Sequence, residues 1–512
     1  MSAAVAAAAA PHADVKHRGL ITLCVMGASI MQALDTTIAN VALPHIQGSL
    51  SSTQEQMSWV LTSYIVATAI MTPLSGWLAG QVGRRRIFLF SVIGFTIASA
   101  MCGISQSLPE IVIARTLQGI CGAALIPLSQ AVMLDINPPE RHGRAMSLWV
   151  MGVTVGPIIG PALGGWLTEY YSWRWVFFIN LPVGILCWLG ISAFMPETKP
   201  RKSRFDFFGF AALSLAIGAL QLMLDRGQIK DWFSSTEIWI EGGIGAVAAY
   251  LFIVHLATTK HPPFVSPALF KDRNFLTGNF FIFVVGMVLF ATLALLPPLL
   301  QTLLGYPVVY TGLVTAPRGL GTLASMIILG KLMGRVDTRM LIAFGFMLTA
   351  VSLWMMTHFY LQMPSDMIIW SGVLQGLGTG FVFVPLSAIT FATLAPHLRN
   401  EGAAVFSLMR NIGSSVGISA VVALLTRNTQ ILHSRLAEHV TPFGDGLSAG
   451  TAALSSSAGL AAVNGEVTRQ ASMLAYNNDF YLMLVLTVLA VPLVALLRPA
   501  ARAKIDPAAA VE

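Results

Sequence analysis

Apolar residues in this chain fall into long runs, separated by short stretches rich in Lys, Arg, Gly and Pro. A hydrocarbon core about 30 Å thick takes roughly 20 helical residues at 1.5 Å each, so each run predicts one crossing helix. The runs lie near 19–43, 57–80, 86–106, 110–134, 143–167, 174–195, 207–225, 238–258, 274–300, 309–332, 338–359, 366–391, 402–425 and 479–498. Fourteen spans make an all-α polytopic membrane protein embedded in a lipid bilayer. Composition agrees: 55% of the 512 residues are hydrophobic and 10% are charged, which excludes an ordinary soluble domain.

An even number of spans puts both termini on one side. Loops on that side hold 21 of the 30 Lys and Arg residues, the opposite loops hold six, and Arg115, Arg318 and Arg410 lie inside spans. Both termini are therefore expected in the cytoplasm by the positive-inside rule. The net charge of +7 is accounted for in this way without a nucleic-acid partner. Cys24, Cys102, Cys121 and Cys187 all fall within spans at unrelated spacings, which suggests packing rather than a disulfide framework or a metal site. The first ten residues are nearly all Ala and lack a basic n-region. A short flexible tail before an uncleaved first span is expected.

The sequence repeats itself. TLQGICGAALIPLS, Thr116 to Ser129, returns as VLQGLGTGFVFVPLS, Val373 to Ser387, at an offset of 257 to 258 residues. GWLAGQVGRRR from Gly76 returns as GKLMGRVDTRM from Gly330, offset by 254. Helices one to six thus recur as nine to fourteen, and two six-helix parallel repeats are the build of major facilitator transporters, whose substrate path runs between the halves. The expected division is a tail (1–18), a first half (19–196), a linker with an inserted helix pair (197–260), a second half (261–498) and a second tail (499–512). The second half includes an extracytoplasmic segment, 427–478. Within that segment TQILHSRLAEHV reads as an amphipathic helix and the Gly, Ser and Ala-rich remainder as a solvated stretch.

Charges inside spans are the chemical anomaly. Asp35 is the only charged residue from Gly19 through Leu43, and Arg115 the only one from Ile111 through Leu134. A lone carboxylate within the bilayer costs at least about 2.5 kcal/mol, so it is kept where a partner or a function compensates. Asp35 is either a satisfied polar group bonded to a neighbouring helix or, because low dielectric penalises its ionised form, a proton carrier. Counting residues from the outer helix ends puts Asp35 about 12 Å deep and Arg115 about 8 Å deep. An Asp35–Arg115 pair in the outer half is expected. Arg318 and Arg410 either line a cavity or snorkel.

Four motifs resemble one family, the fourteen-helix drug:proton antiporters of the major facilitator superfamily, EmrB/QacA type. LDTTIANVALP (Leu34 to Pro44) is similar to its first-helix signature, with Asp35, Thr36, Asn40 and Pro44. GWLAGQVGRRRIF (Gly76 to Phe88) resembles the superfamily's loop between helices two and three, with Gly76, Gly83, Arg84 and Arg85; Gly80 stands at or near the place of that loop's usual acidic residue. RTLQG (Arg115 to Gly119) resembles the fourth-helix motif whose arginine is linked to proton coupling. GVTVGPIIGPALGG (Gly152 to Gly165) resembles the fifth-helix antiporter motif. Its Gly152, Gly156, Gly160 and Gly164 form a bare ridge for a close helix neighbour, Pro157 and Pro161 bend the helix, and Gly165 closes the motif.

QLMLDRGQIKDWF (Gln221 to Phe233) and the long segment 427–478 narrow the resemblance to the EmrB branch. It implies a proton-coupled exporter of hydrophobic toxic compounds in a bacterial inner membrane. It also implies a periplasmic adaptor and an outer-membrane channel as partners, and no cofactor beyond the proton gradient. A proton-coupled importer of a small organic solute is the nearest alternative and a membrane-embedded enzyme a more distant one. No GxxxxGK[ST] or HExxH occurs, so neither an ATP-driven pump nor an HExxH metalloprotease is indicated. The sequence leaves the substrate open.

Overall fold

The computed structural model describes residues 17–138, 141–198, 204–259, 263–395, 398–440 and 457–498. Both expected tails lie outside these, apart from His17 and Arg18. The elements are α1 (Arg18–Ser49), α2 (Gln54–Val82), α3 (Arg84–Ile104), α4 (Leu108–Asp135), α5 (His142–Tyr170), α6 (Trp175–Phe194) and α7 (Phe207–Arg226). They continue as α8 (Thr236–Thr258), α9 (Arg273–Leu303), α10 (Val309–Leu332), α11 (Thr338–Met356), α12 (Ser365–Ala392), α13 (Arg399–Ala437) and α14 (Ser457–Leu496). Among the described residues, thirteen of these are long and apolar enough to cross a membrane. The other, α5, has the length at 29 residues and is built on repeated Gly and Gly-Pro steps.

Helix packing repeats at an interval of eight. α1 packs on α5 as α9 packs on α13, and α2 packs on α4 as α10 packs on α12. The halves meet where α2 touches α13 and where α5 touches α10. Small residues make the close approaches possible: a Cβ at Gly345 or Gly417 would lie 2.7 Å or less from backbone atoms of the facing helix. All four cysteines are free. Cys24, Cys121 and Cys187 fill hollows left by Gly190, Gly94 and Gly27 of neighbouring helices, a packing role for a small soft side chain.

The inserted pair is not a loose addition. Asp206 caps α7 by accepting from Gly209 N at 2.9 Å, and it also accepts from Phe264 N at 3.1 Å and holds His255 of α8 at 2.9 Å. α7 packs on α2 from one half and α13 from the other, whereas α8 packs on α7 and leaves most of its surface outward.

Two helices run past their predicted ends. α13 continues to Ala437 and α14 begins at Ser457, so what is described of the segment 427–478 is mostly a pair of helical extensions. His433 and Asn464 join them at 3.0 Å. Hydropathy marks only the lipid-buried part of a helix, and these extensions are polar. The Gly, Ser and Ala-rich stretch 441–456 lies outside the described residues. Residues Ala471, Met473, Ala475 and Tyr476, expected in the outer segment, are buried, Met473 and Tyr476 within the second half's apolar core.

Candidate functional site: a cavity backed by a buried charge cluster

A cavity of about 1080 Å³ lies between the halves. It is lined by α1, α2, α4, α5 and α7 on one side and by α9, α10, α12 and α13 on the other. Its lining reaches exposed His45, Glu169 and Tyr170, so its mouth is on the face opposite Arg18 and Arg84. Toward that other face, Trp149 of α5 stands 6.3 Å from Phe383 of α12, and Trp149 donates to Ser129 Oγ at 2.7 Å. Beyond this aromatic floor, Asp135 at the end of α4 pairs with Arg84 of α3 and, at 3.2 Å, with Arg399 of α13. One carboxylate thus clasps the two halves.

Behind the cavity wall lies the charge cluster. Arg115 Nη1 donates to Asp35 Oδ2 at 2.7 Å and to Gln118 Oε1 at 2.8 Å, and Arg115 Nε donates to the Val60 carbonyl at 3.1 Å. Asp35 Oδ1 accepts from Gln118 Nε2 at 2.8 Å and from Asn180 Nδ2 at 2.9 Å. Both charged side chains are buried, at 0% and 1% exposure. The Tyr64 ring lies 4.2 Å from the Arg115 guanidinium and also lines the cavity, so it stands between the pair and the open space. Charge-assisted bonds satisfying both carboxylate oxygens make this a closed network.

The other motif residues surround this arrangement. Thr36 and Asn40 line the cavity next to Asp35. The α5 ridge is the surface on which α1 rests: a Cβ at Gly152 would lie 2.7 Å from Met26, at Gly156 2.7 Å from Leu34 N, and at Gly164 2.7 Å from Ile38; one at Gly160 would collide with Thr37. Gly165 lines the cavity. The side chains of Pro44, Pro157 and Pro161 lie outside the described residues. At the closed face, Gly76 lets α2 meet α13, since its Cβ would lie 3.1 Å from Asn400 O and Glu401 Cα. Gly83 has φ +97°, a conformation only glycine adopts freely, and turns the chain from α2 into α3. Arg85 bonds the Ser192 carbonyl and lies 3.6 Å from Glu197.

Several polar residues without a predicted role belong to this machinery. Gln118 and Asn180 complete the Asp35 shell. Asp225, bonded to Thr62, and Gln221, bonded to Ser415 at 2.8 Å, bring α7 into the cavity wall. Asp479 of α14 is 1% exposed, and neither carboxylate oxygen has a partner among the described residues. Arg318 and Arg410 both line the cavity.

This architecture has known counterparts. The Major Facilitator Superfamily model matches residues 25–418. The chain belongs to the major facilitator superfamily. Among its relatives in that superfamily, the multidrug export protein EmrB of Escherichia coli (strain K12) is 40% identical over 427 residues, 83% of each chain. The fatty acid resistance protein FarB of Neisseria gonorrhoeae is 37% identical over 486 residues, 94% of this chain and 96% of that one. The human organic anion transporter MFSD10 superimposes with a TM-score of 0.60 over 92% of this chain and 99% of its own, at 13% identity. The proton:xylose symporter XylE does so at 0.60 over 93% and 96%, at 14% identity. These two likenesses are of fold. The chain is therefore a multi-pass membrane transporter of the superfamily with multidrug exporters among its relatives, as its four motifs led one to expect.

Proposed function

We propose that this transporter exports hydrophobic toxic compounds across a bacterial inner membrane in exchange for protons, with both termini in the cytoplasm and no cofactor beyond the proton gradient. The observation that carries the reading is Asp35, a buried carboxylate held by Arg115, Gln118 and Asn180 directly behind the wall of the cavity between the halves. In this orientation the described conformation faces outward. A proton arriving from outside neutralises Asp35, frees Arg115 from its counter-charge and loosens the α1–α4 contact, which biases the halves toward the other state. In that state the proton departs to the cytoplasm and cargo enters from it, and the halves then return outward with Asp35 ionised and release the cargo.

The EmrB and FarB relatives support export, and the paired helical extensions of α13 and α14 offer a place for a periplasmic adaptor that links to an outer-membrane channel. The test is uptake of an uncharged fluorescent drug into everted vesicles under an imposed pH gradient, acidic inside. Wild-type vesicles should accumulate drug until a protonophore is added, and Asp35→Asn vesicles should not. Accumulation by the variant at the wild-type rate, or drug movement with the proton gradient in place of against it, would overturn the reading.

A further inference from the structure

Among the described residues, two guanidinium groups line the cavity without a counter-charge. Arg318 of α10 is 7% exposed and Arg410 of α13 is 8% exposed. Among the described residues, Arg318 Nη1 and Nη2 have no hydrogen-bond partner, and neither does Arg410 Nε. Among the described residues, the guanidinium of Arg410 makes one bond, a long one from Nη2 to Ser407 Oγ at 3.4 Å. Arg115 is the contrast, with a carboxylate, an amide, a carbonyl and an aromatic ring around it.

Neither arginine can reach a membrane surface. Arg318 lies nine residues into α10 from the open face, about 13 Å, and Arg410 lies eleven residues into α13 from the closed face, about 17 Å. Their backbones are pinned as well. Gly376 of α12 presses against the Arg318 carbonyl and Gly286 of α9 against that of Arg410, with no room for a Cβ at either glycine. At the second-half position that matches Arg115, α12 has Gly372, whose Cβ would lie 3.7 Å from Arg318 Cβ. The second half thus carries its charge on α10, facing the cavity, where the first half carries it on α4, sealed behind the wall.

The cavity's carboxylates do not answer these charges. Asp225 is engaged by Thr62 on the α2–α7 side, and Glu169 is exposed at the mouth. The remaining lining is largely apolar, with Phe290, Leu293, Ile126 and Ile418 among it. An unpaired buried guanidinium is among the costliest groups to place near a bilayer midplane, and its planar fork matches a carboxylate.

We propose that Arg318 and Arg410 are the anion-binding end of the cavity, and that the preferred cargo is an amphiphile carrying one carboxylate on an apolar body. This rests on the transport reading above and names its substrate class. Binding needs no gradient, so it can be tested apart from export. The full-length protein in nanodiscs is titrated with dodecanoate, dodecanol and dodecylamine, and Trp fluorescence is followed, since Trp166 lines the cavity. Dodecanoate should bind at least tenfold tighter than dodecanol, and dodecylamine more weakly than either. Arg318→Gln and Arg410→Gln should each lower the acid-to-alcohol ratio at least fivefold, and the Lys variants should fall in between, with unfolding temperature measured to show that each variant is folded. Equal binding of acid and alcohol, tightest binding of the amine, or a ratio untouched in both Gln variants would overturn the proposal. So would displacement of dodecanoate by an equal concentration of inorganic phosphate, which would make the site one for small anions.

Discussion

Gln375 Nε2 donates to Thr292 Oγ1 at 3.0 Å, and this bond is the second half's copy of the one that Gln118 makes to Asp35 at 2.8 Å. Both residues are displaced by 257 positions from their first-half equivalents. The repeat keeps the amide and replaces the titratable carboxyl by a hydroxyl, so the two halves share a frame and differ in charge. Asp35→Asn should therefore abolish pH-driven transport while Thr292→Val, which removes only the hydroxyl, keeps it within about threefold of wild type. Drug uptake in everted vesicles decides this, and equal losses in the two variants would remove the distinction between the halves.

The Asp35–Arg115 pair should show strong coupling. Removing one partner of a buried pair leaves an uncompensated charge and costs about 3–5 kcal/mol. Asp35→Asn and Arg115→Gln should each lower thermal stability in detergent, and the double variant should lose clearly less than the two losses added together. Additive losses would show that the groups act independently despite the 2.7 Å contact.

How much of this was legible in the sequence follows from contrast. Asp35 and Arg115 stood out because a charge interrupts an apolar run, and their depths along antiparallel helices were enough to pair them. Gln118 and Asn180 were missed because an amide barely disturbs hydropathy, although Gln118 sat in the repeated LQG. Asp479 was hidden at the edge of a predicted span, because the polar start of α14 made the helix seem to begin 22 residues later than it does. The Gly80 position pointed away from an acidic clasp on the α2–α3 loop, and the carboxylate that does the clasping, Asp135, comes from the far end of α4. Only the fold brings it to Arg84 and Arg399.

That clasp gives a conformational prediction. Asp135→Asn keeps the shape and removes the charge that joins α3, α4 and α13, so the closed face should open more often. Hydrogen–deuterium exchange should rise over the start of α13 and the end of α2, with little change around α11, which takes no part in the clasp. Unchanged exchange at α13 would assign the closure to the Trp149–Phe383 floor alone.

The α5 ridge predicts a contrast between two glycines. Gly156→Leu would drive a side chain into the α1 backbone at Leu34, where even a Cβ would stand 2.7 Å away. It should displace α1 together with Asp35, lower the unfolding temperature and eliminate transport. Gly80→Ala meets nothing within 4 Å and should leave both quantities near wild type. If Gly156→Leu transports normally, α1 and α5 have room to separate that the packing does not show.

The extensions of α13 and α14 allow the proposed adaptor contact to be tested apart from transport. Tyr476 and Met473 belong to the core, and Asn477 donates to the Phe359 carbonyl at 3.0 Å, so a deletion extending to 478 would damage the transport fold itself. Residues 430–468 are the part that can be removed, because the stretch Ala471–Tyr476 that carries the packing remains. Their helices are side by side at His433 and Asn464, so the cut ends are about 8–10 Å apart, as packed helices are. A ten-residue Gly/Ser linker spans about 16–19 Å and can close that gap. The linker variant should transport drug in vesicles at close to the wild-type rate and confer no resistance on intact Gram-negative cells. Full resistance would remove the extensions as the proposed adaptor site. Loss of vesicle transport would mean that the extensions hold α13, and with it Arg410, in register.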